Sequence, residues 1–175
     1  ASNNTYSRNQ KMVGYSFEHG FNDTFTVRQN LRFSEMKTSQ KSVYGTGIAS
    51  DGHTLNRGTV VDNERLQNFS VDTQLESKFA TGDVGHTLLT GVDFMRMRND
   101  INASFGSAPS IDLYNKYHPE YFAFGSAEPY QMNESKQTGI YVQDQAEWNK
   151  WVFTLGGRYD WSKQATTVRE NSYTP

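Results

Sequence analysis

Two long runs of strictly alternating residues constrain the fold of this chain more than any other feature. In the first run, alternate positions are mostly apolar and the positions between them are polar: Phe69, Val71, Thr73, Leu75, Ser77 and Phe79 against Ser70, Asp72, Gln74, Glu76 and Lys78. A period of two predicts a β-strand with one apolar face and one wet face. After the break at Thr81-Gly82-Asp83, alternation resumes in the opposite phase through Leu88, Thr90, Val92 and Phe94. The two runs predict an antiparallel hairpin.

The length of these runs favours a membrane-spanning barrel over a soluble sandwich. Each run is about twice the usual strand length of 5–6 residues, whereas about 9–11 residues cross the hydrocarbon in a transmembrane strand. Hydrophobic residues make up only 35% of the chain but aromatic residues make up 14%. A disordered chain would be poor in aromatics, and a barrel with a wet lumen needs only one apolar face. The sequence contains no run of about 18 apolar residues, so it predicts no transmembrane helix. This criterion does not apply to barrel strands, whose hydropathy signal is much weaker.

Four further runs extend the alternation along the chain. They lie at 13–19, 25–33, 140–148 and 151–161, while residues 1–10 are polar and are expected to end a surface loop. We therefore predict an all-β fold, an antiparallel up-and-down meander of about six long strands that forms part of a transmembrane β-barrel. Arg28 and Arg32 share the polar face of their strand and are expected to be lumen charges paired across strands, whereas Arg96 and Arg98 are expected at the external rim.

The connections between these runs alternate in length. Short turns are predicted at 20–23, 80–85 and 149–150, and long external loops at about 37–59 and 99–134. In an up-and-down sheet, every second connection lies at the same end, as in outer-membrane barrels with short periplasmic turns and long external loops. Aromatic residues flank the short turns, as expected of a girdle at a membrane boundary: Phe21, Phe25, Phe79, Trp148 and Trp151.

The sequence gives no support for catalysis or for a metal site. His19, His53, His86 and His118 fall on four separate elements without metal-ligand spacing, and neither Gly-x-Ser-x-Gly nor a phosphate-binding loop occurs. The net charge of −2 gives no reason to expect nucleic acid, and the absence of cysteine excludes disulfides and thiolate metal sites. The aromatic loop 114–130 is either a docking surface for phage or colicin or a loop packed on its own rings.

At this point five segments carry a resemblance to a known family. The chain resembles the barrel of TonB-dependent ferrichrome-iron receptors over NNTYSRNQKMVGYSFEH, FNDTFTVRQNLRF, LQNFSVDTQLESKFATGD, HTLLTGVDFMRMRNDINA and QTGIYVQDQAEW…TLGGRYDW. The resemblance implies a Gram-negative outer-membrane barrel of 22 strands, of which residues 1–175 would form a part without the plug domain. It implies a non-enzymatic receptor for a ferric hydroxamate siderophore that is coupled to the TonB complex through the plug and surrounded by outer-membrane lipid. No resident cofactor is implied, because the iron arrives inside its siderophore.

The resemblance also assigns two residues to siderophore binding. Tyr44 and Phe105 match aromatics of the family's pocket, where rings suit a largely uncharged iron chelate. Thr46 stands where relatives carry a second tyrosine, and the loop after Gly47 lacks their cysteine pair, so siderophore preference and phage contacts are expected to differ. The alternative from composition is a soluble antiparallel β-domain that binds carbohydrate through aromatic loops. Solubility of the isolated chain without detergent would favour that alternative.

Overall fold

The computed structural model describes residues 4–115 and 122–169, which form one antiparallel sheet. Six strands follow one another along the chain and lie side by side in the same order: β1 Thr5–Gly20, β2 Phe25–Ile48, β3 Thr54–Thr81, β4 Val84–Asp112, β5 Glu128–Trp148 and β6 Trp151–Val168. The predicted six-stranded meander is therefore confirmed. Within the described ranges, no helix has the length and apolar character needed to cross a membrane.

Three tight turns join the strands at one end of the sheet. The first turn is held by the Asn22 side chain, whose Oδ1 accepts hydrogen bonds from the amides of Thr24 and Phe25 at 2.9 and 2.8 Å. The other two turns need a left-handed residue, which Gly82 supplies at φ 61° and Asn149 at φ 53°. Glycine and asparagine adopt this conformation at least cost, so the turns fix the hairpin register.

The pairing register sorts the alternating residues onto two faces. One cross-strand row of the apolar face runs from Leu31 in β2 to Trp161 in β6, through Val71, Phe94 and Thr138. The neighbouring row on the opposite face is polar and contains Asn30, Asp72, Asp93, Gly139 and Asp160. We call the apolar face the outer face and the polar face the inner face, since a barrel wall is apolar toward lipid and polar toward its lumen.

The apolar band on the outer face ends at a row of charges. Phe33 and Phe69 share that row with Arg96, Lys136 and Lys163. Arg96 lies 2.6 Å from Glu134, which neutralises part of this charge. Such an abrupt end to an apolar band is expected where a barrel strand leaves the hydrocarbon of a membrane. The predicted rim position of Arg96 agrees with this boundary.

The external loops predicted at 37–59 and 99–134 are wrong in extent. Strands β2 and β3 continue through most of the first segment, and only residues 49–53 connect them. Strand β4 runs to Asp112 and β5 begins at Glu128, which leaves 113–127 as the second connection. Residues 5–10, expected to end a loop, belong to β1. The 28 and 29 residues of β3 and β4 span roughly 90 Å at about 3.3 Å per residue, far more than a membrane requires.

Candidate ligand-binding surface on the inner face

The inner face carries a charge triad near the tight turns. Arg28 of β2 lies 2.5 Å from Glu18 of β1 and 2.7 Å from Glu76 of β3. One guanidinium thus bridges three adjacent strands, because its planar fork presents several donors to carboxylates on either side. The predicted pairing of Arg28 across strands is confirmed.

Farther along the inner face, Tyr141 reaches across a whole strand. Its hydroxyl donates a 2.8 Å hydrogen bond to Asp72 Oδ1, although Tyr141 belongs to β5 and Asp72 to β3. The ring crosses β4 at Gly91, where an added Cβ would lie 2.7 Å from Cε1 and closer still to Cζ and Oη. Only a glycine leaves room for the ring at this position.

Arg158 repeats this arrangement one strand along. Its guanidinium starts on β6 and lies 2.6 Å from Asp93 on β4 and 2.6 Å from Asp160 on its own strand. Gly139 of the intervening strand lies beneath it, since a Cβ added there would overlap the guanidinium. Two glycines on the polar face therefore allow two side chains to connect strands that are not neighbours. Alternation predicted that Asp72 lies on the polar face, but nothing in it indicated the bridges.

The two candidate siderophore residues lie on the same inner face, toward the external end. Tyr44 pairs with Gly58 of β3, and Phe105 pairs with Val60 of the same strand. The rings therefore start from strands on either side of β3, roughly 10 Å apart laterally at the usual strand spacing. The two residues are 45% and 57% exposed, so both rings are accessible on this face of the sheet.

Each ring has a defined neighbour on this surface. The Tyr44 ring lies over Gly58, where an added Cβ would be 2.8 Å from Tyr44 Cζ. The Phe105 ring meets Tyr130 of β5 edge to face, with centroids 5.8 Å apart and an interplanar angle of 70°. Tyr130 is part of this aromatic surface, but alternation placed it only in a loop.

Thr46 occupies an irregular position rather than a regular strand site. The β2–β3 register shifts between Gly45 and Gly47, so that Gly45 pairs with Arg57 and Gly47 with Asn56. Thr46 has no partner in this pairing and forms a β-bulge two residues from Tyr44. Bulges redirect side chains, so regular alternation does not determine which face the Thr46 side chain occupies.

The external tip of the β2–β3 hairpin is organised by Asp51. Its carboxylate accepts hydrogen bonds from the amides of His53 and Thr54 and from the Thr54 hydroxyl, at 3.0, 2.9 and 2.6 Å. These donors, led by the hydroxyl, lower the pKa of Asp51 to about 2. His53 Nδ1 lies 3.3 Å from Asp112 at the end of β4, which ties the two external connections together.

An acidic pair lies on the inner face just below the rings. Burial raises the pKa of Asp62 above its ordinary value, and the neighbouring Glu64 carboxylate raises it further.

Within the described part of the chain, no cluster of histidine, aspartate and glutamate could hold a metal ion. His118 lies outside the described residues, as does part of the aromatic loop 114–130.

Comparison with known proteins covers the full chain. Residues 1–175 match the family described as TonB dependent receptor-like, beta-barrel. The chain is 60% identical to the ferrichrome outer membrane transporter/phage receptor of Escherichia coli K12, over 97% of this chain and 26% of that protein. It is 38% identical to the ferrioxamine B receptor of Salmonella typhimurium LT2, over 89% of this chain and 22% of that protein. The chain thus spans about a quarter of the length of these relatives.

Solved structures agree with this fold. The ferric preacinetobactin receptor of Acinetobacter baumannii superposes with a TM-score of 0.76 at 16% identity, over 95% of this chain and 26% of that chain. The siderophore receptor PiuA of the same organism gives 0.73 at 18% identity, over 99% of this chain and 28% of that chain. At such identities the likeness concerns the fold alone. The family match over residues 1–175 shows that this chain belongs to the TonB-dependent receptor-like β-barrel family.

Proposed function

We propose that the parent protein is an outer-membrane receptor of a Gram-negative bacterium that takes up a ferric hydroxamate siderophore of the ferrichrome type. The observation that carries this proposal is the pair of exposed rings, Tyr44 and Phe105, on one inner-face surface. The 60% identity to a ferrichrome transporter supports the same ligand class. A soluble carbohydrate-binding domain has no comparable support, because the relatives described above are siderophore receptors or transporters.

The chemistry of the inner surface fits this ligand. A hydroxamate chelate surrounds its iron and presents apolar and uncharged polar surface, which aromatic rings bind by burial and stacking. The iron is cargo that arrives already coordinated, so the receptor itself needs no metal ligands and no cofactor. The parent acts as a transporter and not as an enzyme.

The proposal includes partners that lie beyond this part of the sheet. Energy for uptake would come from the TonB complex through the plug domain, and the outer face would contact membrane lipid along its apolar band. Docking of phage or colicin at the external connections remains a prediction. Because the connection 49–53 is only a tight tip, such docking would depend chiefly on 113–127.

Ferrichrome binding by the full-length parent receptor, followed by quenching of intrinsic fluorescence, tests the proposal. Tyr44→Ala and Phe105→Ala each remove a ring and should weaken binding by about 1–3 kcal/mol, or roughly 5- to 150-fold. Tyr114→Ala is a matched control, since Tyr114 is 84% exposed and its ring packs against His53 instead of the candidate surface.

The outcomes separate the parts of the proposal. Weakening in both ring variants, with an unchanged control, supports the ligand and the surface together. Tight binding by all variants would retain the receptor and reject the surface. Failure of the wild-type receptor to bind ferrichrome would reject the ligand, and ferrioxamine B would then be the next hydroxamate to measure.

A further inference from the structure

A β-bulge gives Tyr130 its position on the inner face. Along the β4–β5 ladder, Ile101 pairs with Gln131, but the next residue, Asn102, pairs with Pro129, so Tyr130 is the extra residue. Regular alternation from Gln131, an inner-face residue, would turn the Tyr130 side chain outward. The bulge instead allows its ring to meet Phe105, which lies on the inner face.

The surrounding backbone supports this bulge. Pro129 has no amide hydrogen and cannot donate to the ladder, so an irregular pairing costs little at this point. On the other side of β5, the Tyr130 carbonyl accepts a 2.9 Å hydrogen bond from the amide of Arg169. The residue that follows β6 thus holds the Tyr130 backbone, while the Tyr130 side chain is directed toward β4.

The contact between the two rings has a defined geometry. The centroids of Phe105 and Tyr130 are 5.8 Å apart, and the rings meet at 70°. Edge-to-face pairs are favoured because the positive edge of one ring faces the negative face of the other. Tyr130 is 37% exposed and Phe105 is 57% exposed, so Tyr130 is the more covered member of the pair.

We propose that Tyr130 is a positioning residue of the siderophore site, which holds the Phe105 ring in the orientation it presents to the ligand. This inference rests on the proposed function, because it assumes that Phe105 contacts the siderophore. Without Tyr130, Phe105 would retain its rotamer freedom on an open surface and would lose part of that freedom when the ligand binds. Restricting a ring in advance strengthens binding by lowering this entropic cost.

A double-mutant cycle in the full-length parent receptor tests the role of Tyr130. Ferrichrome binding would be measured by fluorescence quenching for Tyr130→Ala, Tyr130→Phe, Phe105→Ala and the double variant Tyr130→Ala/Phe105→Ala. Tyr130→Phe keeps the ring and should bind within about twofold of wild type, since the contact is made by the ring. Tyr130→Ala should weaken binding by about 2- to 10-fold, the range that edge-to-face pairs give.

The decisive comparison is the effect of Tyr130→Ala when Phe105 is already absent. A positioning role predicts that the second substitution adds almost nothing, because there is no ring left to hold. General damage to the sheet would instead weaken binding equally in both backgrounds, and that result would overturn the inference. So would an unchanged affinity in Tyr130→Ala.

Failure of the proposed function would look different. If wild-type receptor bound no ferrichrome, the ligand assignment would fall and the positioning role with it. If wild type bound tightly but the two substitutions were additive, the function would stand and only the positioning role would fall. Circular dichroism of each variant would confirm that the barrel is still folded.

Discussion

Replacing Gly91 with alanine should break the side-chain bridge between Tyr141 and Asp72 on the inner face. The added methyl would lie 2.7 Å from Tyr141 Cε1 and closer to Cζ and Oη, so the ring must swing away into the lumen. The backbone itself need not move, because the atoms in the way are at the end of the tyrosine side chain. The 2.8 Å hydrogen bond from Tyr141 to Asp72 would then be lost.

The expected cost follows from three opposing terms. A hydrogen bond to a charged group contributes about 1.5–3 kcal/mol, and the wet inner face places this bond at the lower end. Repacking of the displaced ring destabilises the sheet further, by less than the roughly 1–3 kcal/mol that an overpacked core costs. In the opposite direction, alanine stabilises the fold by about 0.4–1 kcal/mol because it restricts the unfolded chain more than glycine does. The net loss should be about 1–2 kcal/mol for local opening of β3, β4 and β5.

Hydrogen exchange of the full-length receptor is the suitable assay, because a change of this size is diluted in the melting of a large barrel. Backbone amides of β5 around Tyr141 should exchange about 5- to 30-fold faster in Gly91→Ala, which is the ratio that 1–2 kcal/mol gives. Gly85→Ala is the matched control in the same strand, since nothing lies within 4 Å of a Cβ added there.

Two results would contradict this account of Gly91. Equal exchange in Gly91→Ala and Gly85→Ala would mean that the Tyr141 bridge does not stabilise the sheet. The second result compares the double variant Gly91→Ala/Tyr141→Ala with Tyr141→Ala alone. Faster exchange in the double variant would show that the added methyl disturbs the backbone instead of the ring.

Two further predictions concern the external half of the sheet. Gly58→Ala should displace the Tyr44 ring, because the added Cβ would lie 2.8 Å from Tyr44 Cζ. Ferrichrome binding should weaken by less than the roughly fivefold minimum expected for Tyr44→Ala, because the ring is displaced and not removed. An unchanged affinity in a ferrichrome titration would mean that the Tyr44 ring does not contact the ligand. Asp62→Asn should slow amide exchange in β3 at pH 7, because the raised pKa of Asp62 marks a carboxylate whose charged form is disfavoured in the fold. The gain in stability should be less than about 1 kcal/mol, because Asp62 is partly exposed. It should vanish as the pH falls through the folded pKa of Asp62 toward its ordinary value of 3.8, because the carboxyl of the unsubstituted protein then becomes protonated. A gain in stability that persists at low pH would contradict this explanation.

The sequence predicted the strands best where the membrane imposes a pattern. Between Phe69 and Phe79 and between Leu88 and Phe94, lipid on one side and water on the other enforce strict alternation, and these residues pair as expected. Residues 37–48 continue strand β2 beyond its apolar run, and polar residues occupy both faces of this part. Serine, threonine and lysine can then occur on either face. The period of two in hydrophobicity therefore disappears, although the hydrogen-bonded ladder of the strand continues.

The candidate site was predictable only in part for a related reason. Tyr44 and Phe105 were assigned by resemblance, and the register then placed both on the inner face. Tyr130 could not be placed, because a single bulge reverses the face of a residue and leaves no mark in hydrophobic periodicity. Pro129 was the one local signal, since proline inside a strand points to an irregular pairing.

The positions of the register shifts have a consequence for where the sheet can accept an inserted residue. All three shifts in the described ladders, beside Thr46, Asn56 and Tyr130, lie toward the external ends of the strands. An inserted residue in the lower ladder would turn every side chain beyond it to the wrong face, exposing aspartate to lipid and phenylalanine to the lumen. Near the tips, a bulge absorbs the same insertion locally. The external end of the sheet can therefore accept an insertion while the residues of the lower ladder keep their faces.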